Sequence, residues 1–329
     1  MSAWIKKVEK GMKSSSSSSF LIIWCLFLAS PAWAKDCSRI STGQIPLTDG
    51  VGLYPGGNAI PSGHLQRGLD AAALIIPRDS NGSPSADGVI VLASIGVSNT
   101  SNEFARGASE IQSPGNPGIP FKARADADDE TAPSVVIVDG ARGGRPLSRW
   151  IDFDASAWSV MRDRLAASGV TTKQVQALWV KLPEASPARR GSGSTYISWY
   201  RKNLFKVIQN ARRLFPGLQQ VYFSSRIYAR YGGNNLSPEP WAYWEGLGVR
   251  SIIERQLSVN PSWRPWLAWG PYLWADGLTP RSDGLIWECD DFAPDGIHPN
   301  GKGVDKVATI LLAHFKTHPA ACWFKLGGC

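Results

Sequence analysis

The sequence predicts a doubly wound α/β sandwich around a parallel sheet, and two observations carry that prediction. Five apolar runs of strand length recur along the chain, and helical patterns lie between them. The runs are nearly continuous in apolar character, which implies burial on both faces, as in a parallel sheet covered by helices. Alternation of such strands with helices places one helical layer on each side of the sheet.

The first strand is GVIVLA (88–93), the second SVVIVDG (134–140) and the third VQALWVK (175–181). QQVYFSS (219–225) and WLAWGPY (266–272) complete the set, each with β-branched or aromatic content. A helix over Ala155 to Ser168 places Trp158, Met161 and Leu165 on one side. The next, Ile197 to Phe215, has Leu204, Val207, Ile208 and Ala211 on one face and Arg201, Lys202 and Arg212 opposite. Two more follow, Trp241 to Leu257 and Val304 to Phe315.

Ahead of these elements, residues 1–34 read as a secretory signal peptide. Lys6, Lys7, Lys10 and Lys13 form a positive start, a serine run follows, Phe20 to Ser30 is apolar, and Ala32-Trp33-Ala34 is an A-x-A cleavage site. The apolar part is short for a bilayer span, so the expectation is a secreted or periplasmic protein with no stable membrane insertion after cleavage. Residues 35–329 then form a single domain, long enough for one large core.

Without the leader's four lysines and one glutamate, the formal net charge falls from +8 to +5. That charge is too mild and scattered to point to nucleic acid. Four cysteines remain, Cys37, Cys289, Cys322 and Cys329. In an exported chain an even count favours two disulfides, with three connectivities open. None of their spacings resembles a zinc site, and with four histidines in the chain no metal or cofactor is expected.

In doubly wound sheets the working residues sit in loops at the carboxyl ends of the strands. After the first strand comes SIGVSNTSNEF, where Gly96 permits a sharp turn and Ser98 opens a helix, a place for an exposed nucleophile. Taken alone, that serine is better explained as an ordinary helix cap, since such caps are common. The second strand ends in DGARGGRP, whose Gly143 and Gly144 can present backbone N–H groups to a developing oxyanion. Beyond the fifth strand, DFAPDGIHPNGKG (291–303) sets Asp295 three positions before His298. One turn lets that carboxylate fix the imidazole tautomer and leaves the other ring nitrogen free as a general base. Serine, glycines and Asp-x-x-His on three strand ends of one rim are an arrangement for nucleophilic acyl chemistry.

In this order and placement, GVSN (96–99), DGARGG (139–144) and DGIHPNGKG (295–303) resemble the first, second and last blocks of the SGNH/GDSL hydrolases. The resemblance implies a flavodoxin-like three-layer α/β/α fold with a central five-stranded parallel sheet, no metal, and ester hydrolysis or acyl transfer. It assigns Ser98 as nucleophile, His298 as base, Asp295 as its orienting partner, and the Ser98, Gly143 or Gly144 backbone as oxyanion donors. Two departures stand out. Val97 replaces the aspartate of Gly-Asp-Ser, and the third block reads WVKLPEASP, without the asparagine that supplies a side-chain oxyanion donor. Lys181, at the third strand's end, is the expected substitute, with Asn99 the alternative.

Trp274 and Trp287, in loops beside the rim, are candidate stacking platforms for sugar rings, with core burial as the other reading. Arg226, ending the fourth strand, is placed to touch a substrate or to pin a neighbouring carboxylate, and Arg189-Arg190 before GSGS reads as a flexible basic loop. The expected function is a serine ester hydrolase removing small acyl groups from a carbohydrate or other small-molecule ester. A non-catalytic carbohydrate-binding protein on the same fold, and an acyltransferase, are the alternatives.

Overall fold

The computed structural model describes residues 35–106, 116–233, 236–259 and 263–329, so the leader pattern of residues 1–34 lies outside the described residues. Five strands form one all-parallel sheet: β1 (Ile90–Gly96), β2 (Val135–Val138), β3 (Val175–Lys181), β4 (Gln220–Phe223) and β5 (Trp266–Trp269), in the order β2-β1-β3-β4-β5. This is the expected doubly wound sheet. The strand order reverses between β1 and β3, and the crevice above their carboxyl ends is the place where such sheets bind ligands.

Strand pleating sends alternate residues to opposite cores. Val91, Ala93 and Ile95 of β1 point to one side and Ile90 and Leu92 to the other. On the second side lie α1 (Ser62–Ala72), α3 (Phe121–Asp126) and α7 (Gly301–Thr317); on the first lie α4 (Ser156–Ala167), α5 (Gly193–Leu214) and α6 (Trp241–Ser258). The short α2 (Ser98–Ser101) continues β1 directly. Together these make three layers.

Sequence periodicity located α4 to α7 but not α1 or α3. Helix α1 contains Gly63 and Gly68, poor helix formers, yet a Cβ at Gly68 would sit 2.5 Å from the Trp266 ring. Close packing of the helix on β5 therefore outweighs local propensity. The strands also end elsewhere than expected: β1 runs on to Gly96, while β2, β4 and β5 stop at residues 138, 223 and 269. The remaining apolar residues of those runs are buried in loops, a distinction that hydrophobicity cannot make.

Of the three disulfide connectivities, the structure has Cys37–Cys289 and Cys322–Cys329. The first ties the start of the described chain to the segment that carries Asp295 and His298. Among the described residues no helix is long and apolar enough to cross a membrane.

Three of the four histidines are structural. His64 Nε2 meets the Leu267 carbonyl at 2.8 Å, while the His314 and His318 rings lie tilted to each other with centroids 4.9 Å apart, and neither Nε2 has a partner among the described residues. Burial and the neighbouring His318 push the His314 imidazole down to about 3, and burial pushes His318 down to about 4. Depressed imidazoles stabilise the fold above pH 6.5, their ordinary value, and that stability is lost as pH falls toward these lowered values. Burial pushes the Glu239 and Glu245 carboxyls up to about 7 and 8, which acts in the opposite sense over the same window. The imidazole contribution is therefore isolated by difference. Relative to wild type, a His314→Gln/His318→Gln variant should gain about 2 to 4 kcal/mol of stability between pH 7 and pH 5, read from urea unfolding midpoints. A pH-independent difference would contradict this account.

Candidate active site

Gly96 ends β1 because nothing larger fits: a Cβ there would lie 2.1 Å from Thr100 Oγ1 and 2.4 Å from the Lys181 carbonyl. The reason for the glycine is space, since the chain turns into α2 within one residue. Thr100 Oγ1 accepts from the Val97 N–H at 3.3 Å and donates to the Lys181 carbonyl at 2.6 Å, which pins the turn to β3. Ser98 is left half-buried at the start of α2.

The Asp-x-x-His segment forms a tight turn. Gly296 takes φ +67°, where a Cβ would press on the Tyr231 carbonyl 2.6 Å away. Asp295 Oδ1 accepts from the N–H groups of Ile297 and His298 at 2.9 and 3.0 Å, while Oδ2 accepts from His298 Nδ1 at 2.6 Å. Burial pushes the Asp295 carboxyl up, but the His298 ring and these amides outweigh it and hold the group below its usual range. With Nδ1–H committed to Asp295, Nε2 faces the Ser98 hydroxyl at 2.6 Å. The expected serine, histidine and aspartate thus come together in one hydrogen-bonded relay from two remote segments.

Other contacts hold the relay. Asn99 Nδ2 donates to the Ile297 carbonyl at 2.9 Å, tying the serine helix to the histidine turn. Lys35 donates through Nζ to the Cys289 and Phe292 carbonyls at 2.8 and 2.9 Å, and its backbone N–H donates to Pro294. Asp139, at the end of β2, was passed over in favour of the glycines that follow it. It accepts from Ser94, Ser101 and Ala141, and it pairs with Arg164 at 2.9 Å and Arg106 at 3.0 Å. Its carboxylate therefore clamps the glycine loop to the segment after Ser98. The sequence signal was an aspartate ending a buried strand, where a charge needs partners.

The glycine loop closes the site. A Cβ at Gly143 would lie 3.6 Å from Ser98 Cβ, whereas one at Gly144 (φ +68°) would meet nothing within 4 Å. Gly143 is thus the loop residue beside Ser98.

Six expectations need correction, the last of them Arg226. Lys181 Nζ donates to both carboxylate oxygens of Glu103, and the pair is sealed inside, so it does not reach the rim. Burial pushes the Glu103 carboxyl up and the Lys181 ammonium down, and their contact pulls each back toward its charged form. Asn99 is buried and committed to the histidine turn, and so offers nothing to a substrate. Trp274 and Trp287 are both fully buried, donating to Glu239 Oε1 and to the Leu273 carbonyl at 2.8 Å. Neither has a free face for a sugar. The basic loop before GSGS is a helical turn, Pro187–Arg190, in which Arg190 reaches Glu184 at 3.5 Å.

Arg226 is buried, and among the described residues all three of its guanidinium nitrogens lack hydrogen-bond partners. It therefore neither pins a carboxylate nor lies open at the surface. Burial works against its charge, which Glu245, Glu239, Glu103 and Asp295 support from beyond ion-pair distance. A buried cation without hydrogen-bond partners costs stability, while these carboxylates return part of that cost. Arg226→Met should accordingly change stability by less than about 1 kcal/mol in urea unfolding, because the desolvation relieved is offset by the support withdrawn from Glu239 and Glu245. A loss above about 1 kcal/mol would show that the guanidinium has partners in solution.

No protein-family model matches the chain, and no curated protein matches it in sequence. Solved structures similar to it include a Clostridium thermocellum family 3 carbohydrate esterase, at 13% identity over 71% of this chain and 98% of that one, with a TM-score of 0.43. An acetyl xylan esterase variant from Geobacillus stearothermophilus is 15% identical over 73% of this chain and 97% of that one, with a TM-score of 0.39. A salicylyl-acyltransferase from a tetracycline biosynthetic pathway is 15% identical over 72% of this chain and 58% of that one, with a TM-score of 0.40.

Proposed function

We propose that this chain is an exported serine ester hydrolase of the SGNH type that removes small acyl groups from a carbohydrate. The observation that carries the catalytic reading is the relay of Ser98, His298 and Asp295, closed by two contacts of 2.6 Å at the strand-order reversal. His298 takes the hydroxyl proton as Ser98 attacks the acyl carbonyl, and Asp295 stabilises the imidazolium that forms. The Ser98 and Gly143 backbone groups receive the oxyanion, His298 returns the proton to the leaving alcohol, and water then releases the acid. The sequence resemblance supports the ester chemistry alone; Trp274 and Trp287, the expected sugar platforms, are buried, so the carbohydrate part is decided by the assay on acetylated sugars. Export is supported by the leader pattern and by two disulfides, which persist in oxidising compartments.

A fluorophosphonate probe tests the reading. It is expected to label the mature protein once, at Ser98, as located by peptide mass analysis, and hydrolysis of short-chain aryl esters and acetylated sugars should release free acid. No labelling and no hydrolysis would leave a binding protein on this fold. Acyl product accumulating on a sugar acceptor, without free acid, would make it a transferase.

A further inference from the structure

Helix α5 carries Arg201, Lys202, Lys206, Arg212 and Arg213 and no carboxylate over its 22 residues. Between its first half and the second half of α6 lies a cleft of about 510 Å³. The apolar walls include Trp199, Phe205, Ile252 and Trp263, with the Phe205 and Trp263 rings 5.0 Å apart. Arg201, Lys202 and Arg255 also line it, no Asp or Glu does, and among the described residues these cations make no ion pair. The neighbouring acid on α6, Glu254, is engaged by Arg250 at 2.6 Å.

One wall is firmly braced. The buried Gln256 side chain donates to the Trp263 and Pro265 carbonyls at 2.8 and 2.9 Å and accepts from the Leu267 N–H at 2.8 Å. Trp263 and Leu267 lie at the amino end of β5, so the cleft is remote from the strand ends that hold Ser98 and His298.

We propose that this cleft is a second binding site, for a single small amphiphilic anion with an alkyl or aromatic body and a carboxylate or comparable head. The volume falls within the roughly 300–1,000 Å³ typical of small-molecule sites, and apolar walls with a few convergent charges are their usual chemistry. Three cations without a matching acid select an anionic head. A free molecule fits better than a lipid held in a bilayer, because docking on a bilayer needs apolar side chains that protrude. Of the large apolar residues bordering the cleft, Val259 alone is strongly exposed, at 62%.

Calorimetry on the mature protein tests this with dodecanoate, dodecanol and dodecyltrimethylammonium as probes. One dodecanoate should bind per chain, at least about tenfold tighter than either of the others. Arg201→Gln/Lys202→Gln/Arg255→Gln should bring dodecanoate down to the affinity of dodecanol, and Ser198→Trp, which fills the cleft, should abolish binding. Hydrolysis of a neutral aryl ester should be unchanged in both variants, so failure here is distinguishable from failure of the esterase reading. Absent binding, equal affinity for dodecanol, or indifference to these substitutions would overturn the proposal. So would tight binding to phosphatidylglycerol vesicles without binding of monomeric dodecanoate, which would make the face a membrane surface.

Discussion

Ser98→Ala is expected to lower kcat by about 10³- to 10⁶-fold, because the step lost is the covalent one and the remaining groups cannot replace it. Residual turnover should come from the Ser98 and Gly143 backbone environment and from substrate binding alone, as in serine hydrolases stripped of their nucleophile. The fold should survive intact. Ser98 is half-buried, its hydroxyl bonds to His298, and the turn that holds it depends on Gly96 and Thr100. The matching His298→Ala variant should lose about as much, and Ser98→Ala/His298→Ala little more than either alone, since the pair acts as one unit. The check is single-turnover kinetics on an aryl acetate, with unfolding midpoints measured alongside. A Ser98→Ala protein that keeps a tenth of the wild-type rate would remove Ser98 from the mechanism.

That relay was legible in the sequence because its chemistry falls at places the fold class dictates. Apolar runs located the strands, strand ends located the loops, and Ser98 and Asp295-x-x-His298 stood in two of them. What stayed hidden depended on distance between remote segments. Nothing in WVK shows that Lys181 will meet Glu103, since the two lie on different elements and burial alone forces their pairing. Trp274 and Trp287 sit among loop residues in the sequence, yet those loops fold back over the sheet and bury both rings. Arg226 is a third case, for a charged residue at a strand end reads as exposed, and only packing reveals that it is enclosed.

Lys181 also gives the largest expected effect on stability. Its ammonium and the Glu103 carboxylate are 1% and 0% exposed, so each depends on the other for compensation. Lys181→Met removes one partner and leaves a carboxyl to be protonated or buried unpaired, which should cost about 3 to 5 kcal/mol. Replacing both, as Lys181→Met/Glu103→Leu, removes the desolvation penalty together with the attraction. That variant should return to within about 1 kcal/mol of wild type, or exceed it. Urea unfolding of the two variants separates a buried pair from a lysine that merely packs, because a packing lysine would give similar losses in both. The same proteins decide whether Lys181 takes the place of the missing asparagine. An oxyanion donor lost from the double variant would lower kcat about 10²- to 10³-fold even with stability restored. The geometry predicts a change of no more than a few fold, since Lys181 is turned inward to Glu103 and Gly143, not Lys181, is the residue that approaches Ser98.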